Sequence, residues 1–211
     1  MNATTRPPSP PPLLSLAGFK QFTPAQYHKL IDSGVIMEGE AVELLEGYLV
    51  EKGMRNPPHE MSLRRMTARL PRHAPGWFLQ VQGAIALGAS EPEPDGVLLR
   101  GDETTCDGRI PTVADIGLVI EVSDSTLAFD RRDKGRIYAR VGIPVYWIIN
   151  VVDRQIEVYT NPDATANPPA YRSHTDYAIG DAVPVVLDGV AVPVVLDGQP
   201  VATVPVADLI A

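Results

Sequence analysis

The longest regular pattern of apolar and polar positions lies at 115–150 and predicts a strand, a helix and a second strand. Ile116 to Val122 is an apolar, β-branched run of strand length, as in a strand that is buried on both faces. Asp130 to Val141 carries apolar residues at helical spacing, and Gly142 is a natural C-terminal stop. After Pro144, the segment VYWIIN predicts another buried strand. Two buried strands joined by a helix favour a parallel crossover within a mixed α/β (α+β) fold.

The segments on either side of this unit predict shorter elements. Ahead of it, the patterns indicate a helix from Thr23-Pro24 to Ile31, a hairpin over 41–52 that turns at Glu46-Gly47, a helix from about His59 to Arg72, and strands at 77–87 and 96–99. After it, Asp153-Arg154 predicts a tight turn into an antiparallel strand at 155–160, followed by a loop over 161–170.

The C-terminal section contains a direct repeat, because AVPVVLDG at 182–189 recurs at 191–198. Two copies of so short a period cannot build a solenoid, so the repeat favours a lengthened β-hairpin or edge ribbon. The predicted organisation has three parts: a disordered Pro-rich tail at 1–18, a main domain at 19–165, and a C-terminal β extension at 166–211 packed on the same domain.

Composition limits the classes of protein that fit. A chain of 211 residues can bury one good-sized core. No apolar run approaches the ~20 residues that span a bilayer, and the N-terminus lacks a signal-peptide pattern, so a cytoplasmic protein without membrane contact is expected. Cys106 is the only cysteine, which excludes an internal disulfide and a thiolate metal cluster. A formal net charge of −8 argues against non-specific nucleic-acid binding by the whole surface, but not against a local basic patch.

Three ionisable side chains occupy unusual positions. Glu121 lies within the apolar strand, on the face that alternation gives to Val119 and Ser123. Lys134 falls on the apolar stripe of the following helix, four residues before Tyr138. The third, Asp95, starts the strand at 96–99, where two preceding prolines keep the chain extended.

Two explanations account for these groups. In the first, Asp95 and Glu121 hold a divalent cation, because two carboxylates on neighbouring strands would otherwise repel each other. Mg²⁺ typically takes one or two carboxylates and keeps several waters, and the Val122 carbonyl would be a further ligand. Such a site activates water and polarises a phosphodiester, and the Lys134 amine would stabilise the developing charge. In the second, Lys134 forms a buried ion pair with Glu121 or Asp95 and no metal binds.

Other catalytic signatures are missing from the sequence. The four histidines show no HxH or HExxH spacing, which favours surface or capping roles. No GxGxxG, Walker A or GxSxG motif is present, so nucleotide binding and serine hydrolysis lack support.

Four stretches of sequence carry a resemblance to a known family. They are VELLEGYLVEKG, PPHEM, EPDGVLLR and DIGLVIEVSDSTLAFDRRDKGRIYARVGIPVYWIINVVDRQIEVY, and they span roughly residues 20–160. The chain resembles the Uma2 family, a group described as restriction endonucleases within the PD-(D/E)XK nuclease superfamily. The resemblance implies a restriction-endonuclease-like mixed β-sheet flanked by helices, with 19–165 as the nuclease-like domain and a divalent-metal nuclease site.

The resemblance also implies roles for individual residues. Asp95 corresponds to the aspartate of the PD motif, and Glu121 to the acidic residue of the second motif. Ser123 stands where the superfamily pattern has lysine, and Lys134 resembles the lysine that Uma2-like sequences carry in the following helix. Secondary candidates for the site are Glu43, His59, Asp130 and Tyr138.

The implied function is a metal-dependent endonuclease that hydrolyses phosphodiester bonds in double-stranded DNA. Asp95 and Glu121 would bind Mg²⁺ or Mn²⁺, and Lys134 would assist the attack of water. Cutting both strands favours a homodimer. One alternative is a catalytically inactive binding or assembly protein on a nuclease fold, and another is action on RNA, which these residues do not separate from DNA. Candidates for phosphate contacts are Arg64, Arg69, Arg132 and Arg136, and for the first two, on the helix at 59–72, a solvated basic face is the alternative.

Overall fold

The structure is a computed structural model that describes residues 18–37, 39–70, 73–74, 76–196, 199–201 and 203–210. The disordered tail predicted at 1–18 lies outside the described residues, apart from Gly18. Arg72, the predicted end of the second helix, and residues 197–198 of the second repeat copy also lie outside them. Within the described ranges, no helix has the length and apolar character needed to cross a membrane.

Among the described residues, α-helices lie in the first two thirds of the chain and strands make up most of the rest, with single 3-10 turns at Val113–Asp115 and Val206–Asp208. In chain order, the elements are α1 (Pro24–Asp32), β1 (Val42–Leu45), β2 (Tyr48–Glu51), α2 (Pro57–Arg69), β3 (His73–Ala74), β4 (Trp77–Val81), β5 (Gly96–Arg100), β6 (Ile116–Ser123), α3 (Leu127–Phe129, Asp130–Lys134 and Gly135–Val141, without a break), β7 (Val145–Asn150), β8 (Gln155–Asp163), β9 (Ala170–Ala178), β10 (Ala182–Pro184), β11 (Val186–Leu187), β12 (Val190–Ala191), β13 (Val194–Leu196), β14 (Gln199–Val201) and β15 (Thr203–Pro205).

A mixed sheet of seven described strands forms the centre of the molecule, in the order β3-β4-β5-β6-β7-β8-β9. Neighbouring strands are antiparallel, except that β6 and β7 pair in parallel and are joined by α3. The predicted parallel crossover and the mixed α/β fold are therefore confirmed.

The crossover helix begins at Leu127 rather than Asp130, and three other boundaries differ from the predictions for reasons visible in the backbone. β4 ends at Val81 rather than at residue 87, because Gln82 has a φ of 53°, in the left-handed region that interrupts a strand. α2 begins two residues earlier than predicted, because Asn56 caps it by accepting the His59 N–H. β8 and β9 continue to pair beyond Asn161, so the predicted loop at 161–170 shortens to 164–169.

Two hydrophobic cores cover the two faces of the sheet. On one face, Met66 of α2 and Val185 near the C-terminus pack against Ile120. On the other face, Tyr138 of α3 packs against Val119. The alternation predicted for β6 thus holds, and it directs Glu121 towards α3.

Among the described residues after β9, the chain forms antiparallel ribbons that pair β10 with β15, β11 with β12 and β13 with β14. Asp188 and Gly189 have φ values of 53° and 76° and make the two-residue turn that ends the first repeat copy. Val183 and Leu187 of that copy are buried in the core beside α2. The second half of this copy therefore supplies one strand and the turn of a hairpin, and its buried side chains cover the sheet. The domain boundaries placed at 18 and 165 stay predictions.

Candidate active site

A cavity of about 280 Å³ opens beside the ends of β5 and β6. Asp95, Glu121 and Lys134, the three proposed catalytic residues, all line it, and so does Val122. Of the secondary candidates, Glu43, His59 and Asp130 also line it, and Tyr138 contacts Glu121 from behind. The fold therefore brings together residues that are distant in the sequence.

The pairing of β5 with β6 places Asp95 close to Glu121. Gly96 is opposite Ile120 in this antiparallel pair, so the residue before Gly96 lies next to the residue after Ile120. Asp95 Oδ2 accepts a hydrogen bond of 2.9 Å from the Val122 N–H. This bond anchors the Asp95 carboxylate to β6, on the face that also carries Glu121.

α3 supplies the amine of the site and a second donor to Glu121. Lys134 Nζ donates to Glu121 Oε1 at 2.9 Å, and the Tyr138 hydroxyl donates to the same oxygen at 2.7 Å. The segment Asp130–Lys134 is a π-helical turn. A four-residue step in an α-helix overshoots a full turn by about 40°, and the wider π turn offsets this drift. Asp130, Lys134 and Tyr138 therefore all face the sheet.

Lys134 lies between two buried carboxylates. Its Nζ is 3.4 Å from Glu43 Oε1 as well as 2.9 Å from Glu121, and the Glu93 N–H donates to the other Glu43 oxygen at 3.1 Å. Burial acts to lower the pKa of the Lys134 amine, but Glu121, Glu43 and Asp130 raise it above its ordinary value. Burial raises the pKa of Glu121 despite the opposing effect of Lys134. The neighbouring carboxylates of Asp130, Asp95 and Glu43 also raise the pKa of Glu121, so negative charge exceeds positive charge around Lys134.

Asp130 is fixed at the start of the π turn by two hydroxyl groups. Ser123 Oγ donates to Asp130 Oδ2 at 2.7 Å, and Thr126 Oγ1 donates to the same oxygen at 2.6 Å. Burial raises the pKa of the Asp130 carboxyl. Ser123, which occupies the lysine position of the superfamily pattern, thus anchors α3 to the end of β6.

His59 reaches the site from the first turn of α2. Its Nε2 lies 3.2 Å from Asp95 Oδ2, and its Nδ1 is buried without a hydrogen-bond partner among the described residues. Burial acts to raise the pKa of Asp95, but His59, the Val122 N–H and Lys134 outweigh it, so the pKa lies below its usual value. His59 therefore favours the ionised form of Asp95.

The residues that line the cavity offer the type of ligand atom that a divalent metal ion binds. Four buried carboxylates converge on the cavity, and hard cations such as Mg²⁺ prefer oxygen ligands. The excess of acid over base in a buried space also favours a cation. The buried carboxylates of the cavity are Glu43, Asp95, Glu121 and Asp130.

A tighter group of metal-type side chains lies outside the cavity. Oxygen and nitrogen atoms of Glu157, His174 and Asp176, on β8 and β9, lie within 4.8 Å of one another. The Glu157 carboxylate, however, already accepts hydrogen bonds from Arg131, Asn150 and Tyr159. With its oxygens occupied by these donors, Glu157 is a structural residue.

The predicted phosphate contacts do not lie together around the cavity. Arg136 bonds Glu46, and Arg69 lies 3.6 Å from Asp208, so both pair within the chain. Arg132 contacts Asp133 at 2.7 Å with a side chain that is 79 % exposed. Arg64 is exposed on α2, which packs on the face of the sheet opposite α3.

Sequence reasoning missed the residues at the mouth of the cavity. Lys52 and Arg55 line it and belong to the loop between β2 and α2. Lys52 forms an ion pair with Glu93, and Asn56 donates to Asp124 across the mouth. Two basic residues in one short connection, KGMRN at 52–56, were the available signal.

The mixed sheet with its crossover helix is shared with a solved structure. The crystal structure of a "putative nuclease belonging to DUF820 from Anabaena variabilis ATCC 29413" is similar with a TM-score of 0.59 and 15 % identity, over 89 % of this chain and 97 % of that one. The Uma2 family model, described as "Putative restriction endonuclease", matches residues 24–192. This chain therefore belongs to the Uma2 family, which confirms the resemblance, and the family description supports a nuclease. No curated protein matches the chain.

Proposed function

We propose that this protein is a divalent-metal-dependent endonuclease that hydrolyses phosphodiester bonds of DNA. The observation that carries the proposal is the convergence of Asp95, Glu121 and Lys134 in one cavity, with the amine 2.9 Å from Glu121. The family description supports a nucleic-acid substrate, and double-stranded DNA agrees with its reference to restriction. A homodimer and a cytoplasmic location are part of the same proposal.

Asp95 and Glu121 would hold the Mg²⁺ or Mn²⁺ ion, with the Val122 carbonyl as a further oxygen donor. When bound, such an ion activates water and polarises the phosphodiester. Lys134 holds a positive charge beside Glu121, where it stabilises negative charge that develops on the phosphate. Tyr138 fixes the orientation of Glu121, and His59 keeps Asp95 ionised.

The test uses purified protein, plasmid DNA and added Mg²⁺ or Mn²⁺. We expect cleavage that EDTA abolishes and that is lost in Asp95→Asn and in Glu121→Gln, because each change removes a charged ligand. Asp107→Asn, which alters an exposed aspartate in the loop after β5, is the matched control and should cleave like the unmutated protein. Cleavage that survives both active-site changes would rule out the proposed site.

A second candidate is a binding or assembly protein that keeps the nuclease fold without catalysis. The observation in its favour is that Lys134 already lies between Glu43 and Glu121, so the acids have a cation without a metal. Calorimetric titration with Mn²⁺ separates the two. Folded protein that takes up no Mn²⁺ would favour the second candidate.

A further inference from the structure

We propose that Arg55, in the loop over 52–56, makes the phosphate contact that holds the nucleic-acid backbone at the mouth of the cavity. This inference rests on the proposed nuclease function and identifies a substrate-binding residue for it. It replaces the four arginines suggested by the sequence pattern with one that the fold places at the cavity.

The charge of the cavity requires such a contact. Of the described residues that line it, seven are aspartate or glutamate and three are lysine or arginine. Two of the three cations are already paired closely, Lys134 with Glu121 and Lys52 with Glu93. A phosphate that enters therefore needs positive charge that carboxylates have not neutralised.

Arg55 is the remaining cation, and its guanidinium keeps its charge available. Its side chain is 43 % exposed, and within the described part of the chain its carboxylate neighbour, Glu60, is 4.0 Å away. With its oxygen turned towards Arg55, the Gln82 side-chain amide accepts hydrogen bonds of 3.0 and 3.1 Å from the two terminal nitrogens of the guanidinium. This neutral partner orients the planar guanidinium without cancelling its charge, and the guanidinium keeps further N–H groups that can donate to a phosphate.

The nearby helix terminus cannot replace Arg55 as an anion donor. α2 begins with Pro57 and Pro58, which have no backbone N–H, and the next N–H, that of His59, donates to the Asn56 side chain. The usual anion site at a helix N-terminus is therefore closed here. A side chain must supply the contact.

The loop is fastened on both sides of Arg55. A Cβ on Gly53 would lie 2.4 Å from Thr126 Cγ2, which shows how closely the loop backbone packs on the segment before α3. Asn56 bonds Asp124 in the same segment. Between these attachments, Met54 is 91 % exposed, so the two side chains at the tip of the loop face the solvent at the mouth.

The experiment measures binding of a short labelled DNA duplex by fluorescence anisotropy, with Ca²⁺ as the metal and over a series of salt concentrations. The logarithm of the binding constant falls linearly with the logarithm of the salt concentration, and removing one phosphate contact should make this fall shallower by about 0.9. If the curves converge near 1 M salt, Arg55→Ala therefore weakens binding about eightfold at 0.1 M. Arg55→Lys should keep most of the slope. Met54→Ala is the matched control on the same loop and should keep all of it.

Three results would overturn the inference: an unchanged slope in Arg55→Ala, an equal loss of slope in Met54→Ala or Arg64→Ala, or no duplex binding by the unmutated protein. The proposed hydrolysis fails separately. If the slope falls as expected in Arg55→Ala but Mn²⁺ supports no cleavage, the contact stands and the hydrolysis does not. If DNA is cleaved but the slope is unaltered in Arg55→Ala, the hydrolysis stands and the contact does not.

Discussion

Replacing Lys134 with methionine removes a buried ammonium and leaves the carboxylates of Glu43 and Glu121 without compensation. The Lys134 Nζ lies 3.4 Å from Glu43 and 2.9 Å from Glu121, and only 9 % of the lysine side chain is exposed. Breaking a buried ion pair from one side costs about 3–5 kcal/mol. Each kcal/mol shifts Tm by about 2–4 °C in a chain of this size, so Lys134→Met should melt about 6–20 °C lower.

A double-mutant cycle separates this pairing from a general loss of packing. Urea unfolding is followed by tryptophan fluorescence in Lys134→Met, in Glu121→Gln and in the double variant. Because both changes act on one contact, the double variant should be more stable than additivity predicts, by about 0.5–3 kcal/mol. Lys29→Met, on the exposed surface of α1, is the control and should change the free energy of unfolding by no more than about 0.5 kcal/mol.

Metal binding gives an independent test of the same cluster. At a free Mn²⁺ concentration of about one hundred times Kd, the metal should add about 2.7 kcal/mol to the free energy of unfolding. Asp95→Asn should lose most of this increment. If Lys134→Met unfolds like the unmutated protein and shows no coupling to Glu121→Gln, the amine is not paired in the folded chain, and its assignment to the site is wrong.

Three further predictions address other contacts. Tyr138→Phe removes the hydroxyl that donates to Glu121 at 2.7 Å and should cost about 1–3 kcal/mol in urea unfolding. Ser123→Ala removes the 2.7 Å bond to Asp130 and should cost a similar amount, about 1–3 kcal/mol, in the same assay. Hydrogen bonds from Arg136 lower the pKa of Glu46 from 4.5 to about 2, although partial burial acts in the opposite direction. The contribution of this ion pair to the stability of the folded state is therefore complete above pH 4.5 and is lost as the pH falls through about 2. In an NMR titration, Glu46 should therefore stay ionised while ordinary glutamates protonate.

The local pattern was sufficient to predict the central unit of the fold. The apolar run of β6, the helical stripe of α3 and the C-terminal Gly142 each depend on residues close in sequence, and Gly142 has the expected left-handed conformation, with a φ of 81°. Alternation along β6 predicted the face of Glu121, and helical spacing predicted the inward direction of Lys134. Both deductions need only the geometry of a single element.

The partners of the arginines could not be predicted in this way. Arg136 of α3 pairs with Glu46, which precedes it by 90 residues and lies in the turn between β1 and β2. Arg69 similarly approaches Asp208 near the C-terminus. Helical spacing shows that such side chains share a face but not which element covers that face. For the same reason, the contact of His59 with Asp95 and the position of Arg55 at the cavity required the tertiary structure.

The helix rather than the strand determines where the amine of this site comes from. Ser123 is fully buried, and its hydroxyl donates to Asp130, so the end of β6 has no place for the lysine of the superfamily pattern. The π turn brings Lys134 and Tyr138 to the same oxygen of Glu121, so one helix supplies both the charge and the orienting hydroxyl. In a chain with serine two residues after the strand glutamate, the cation should therefore be sought on the inward stripe of the crossover helix.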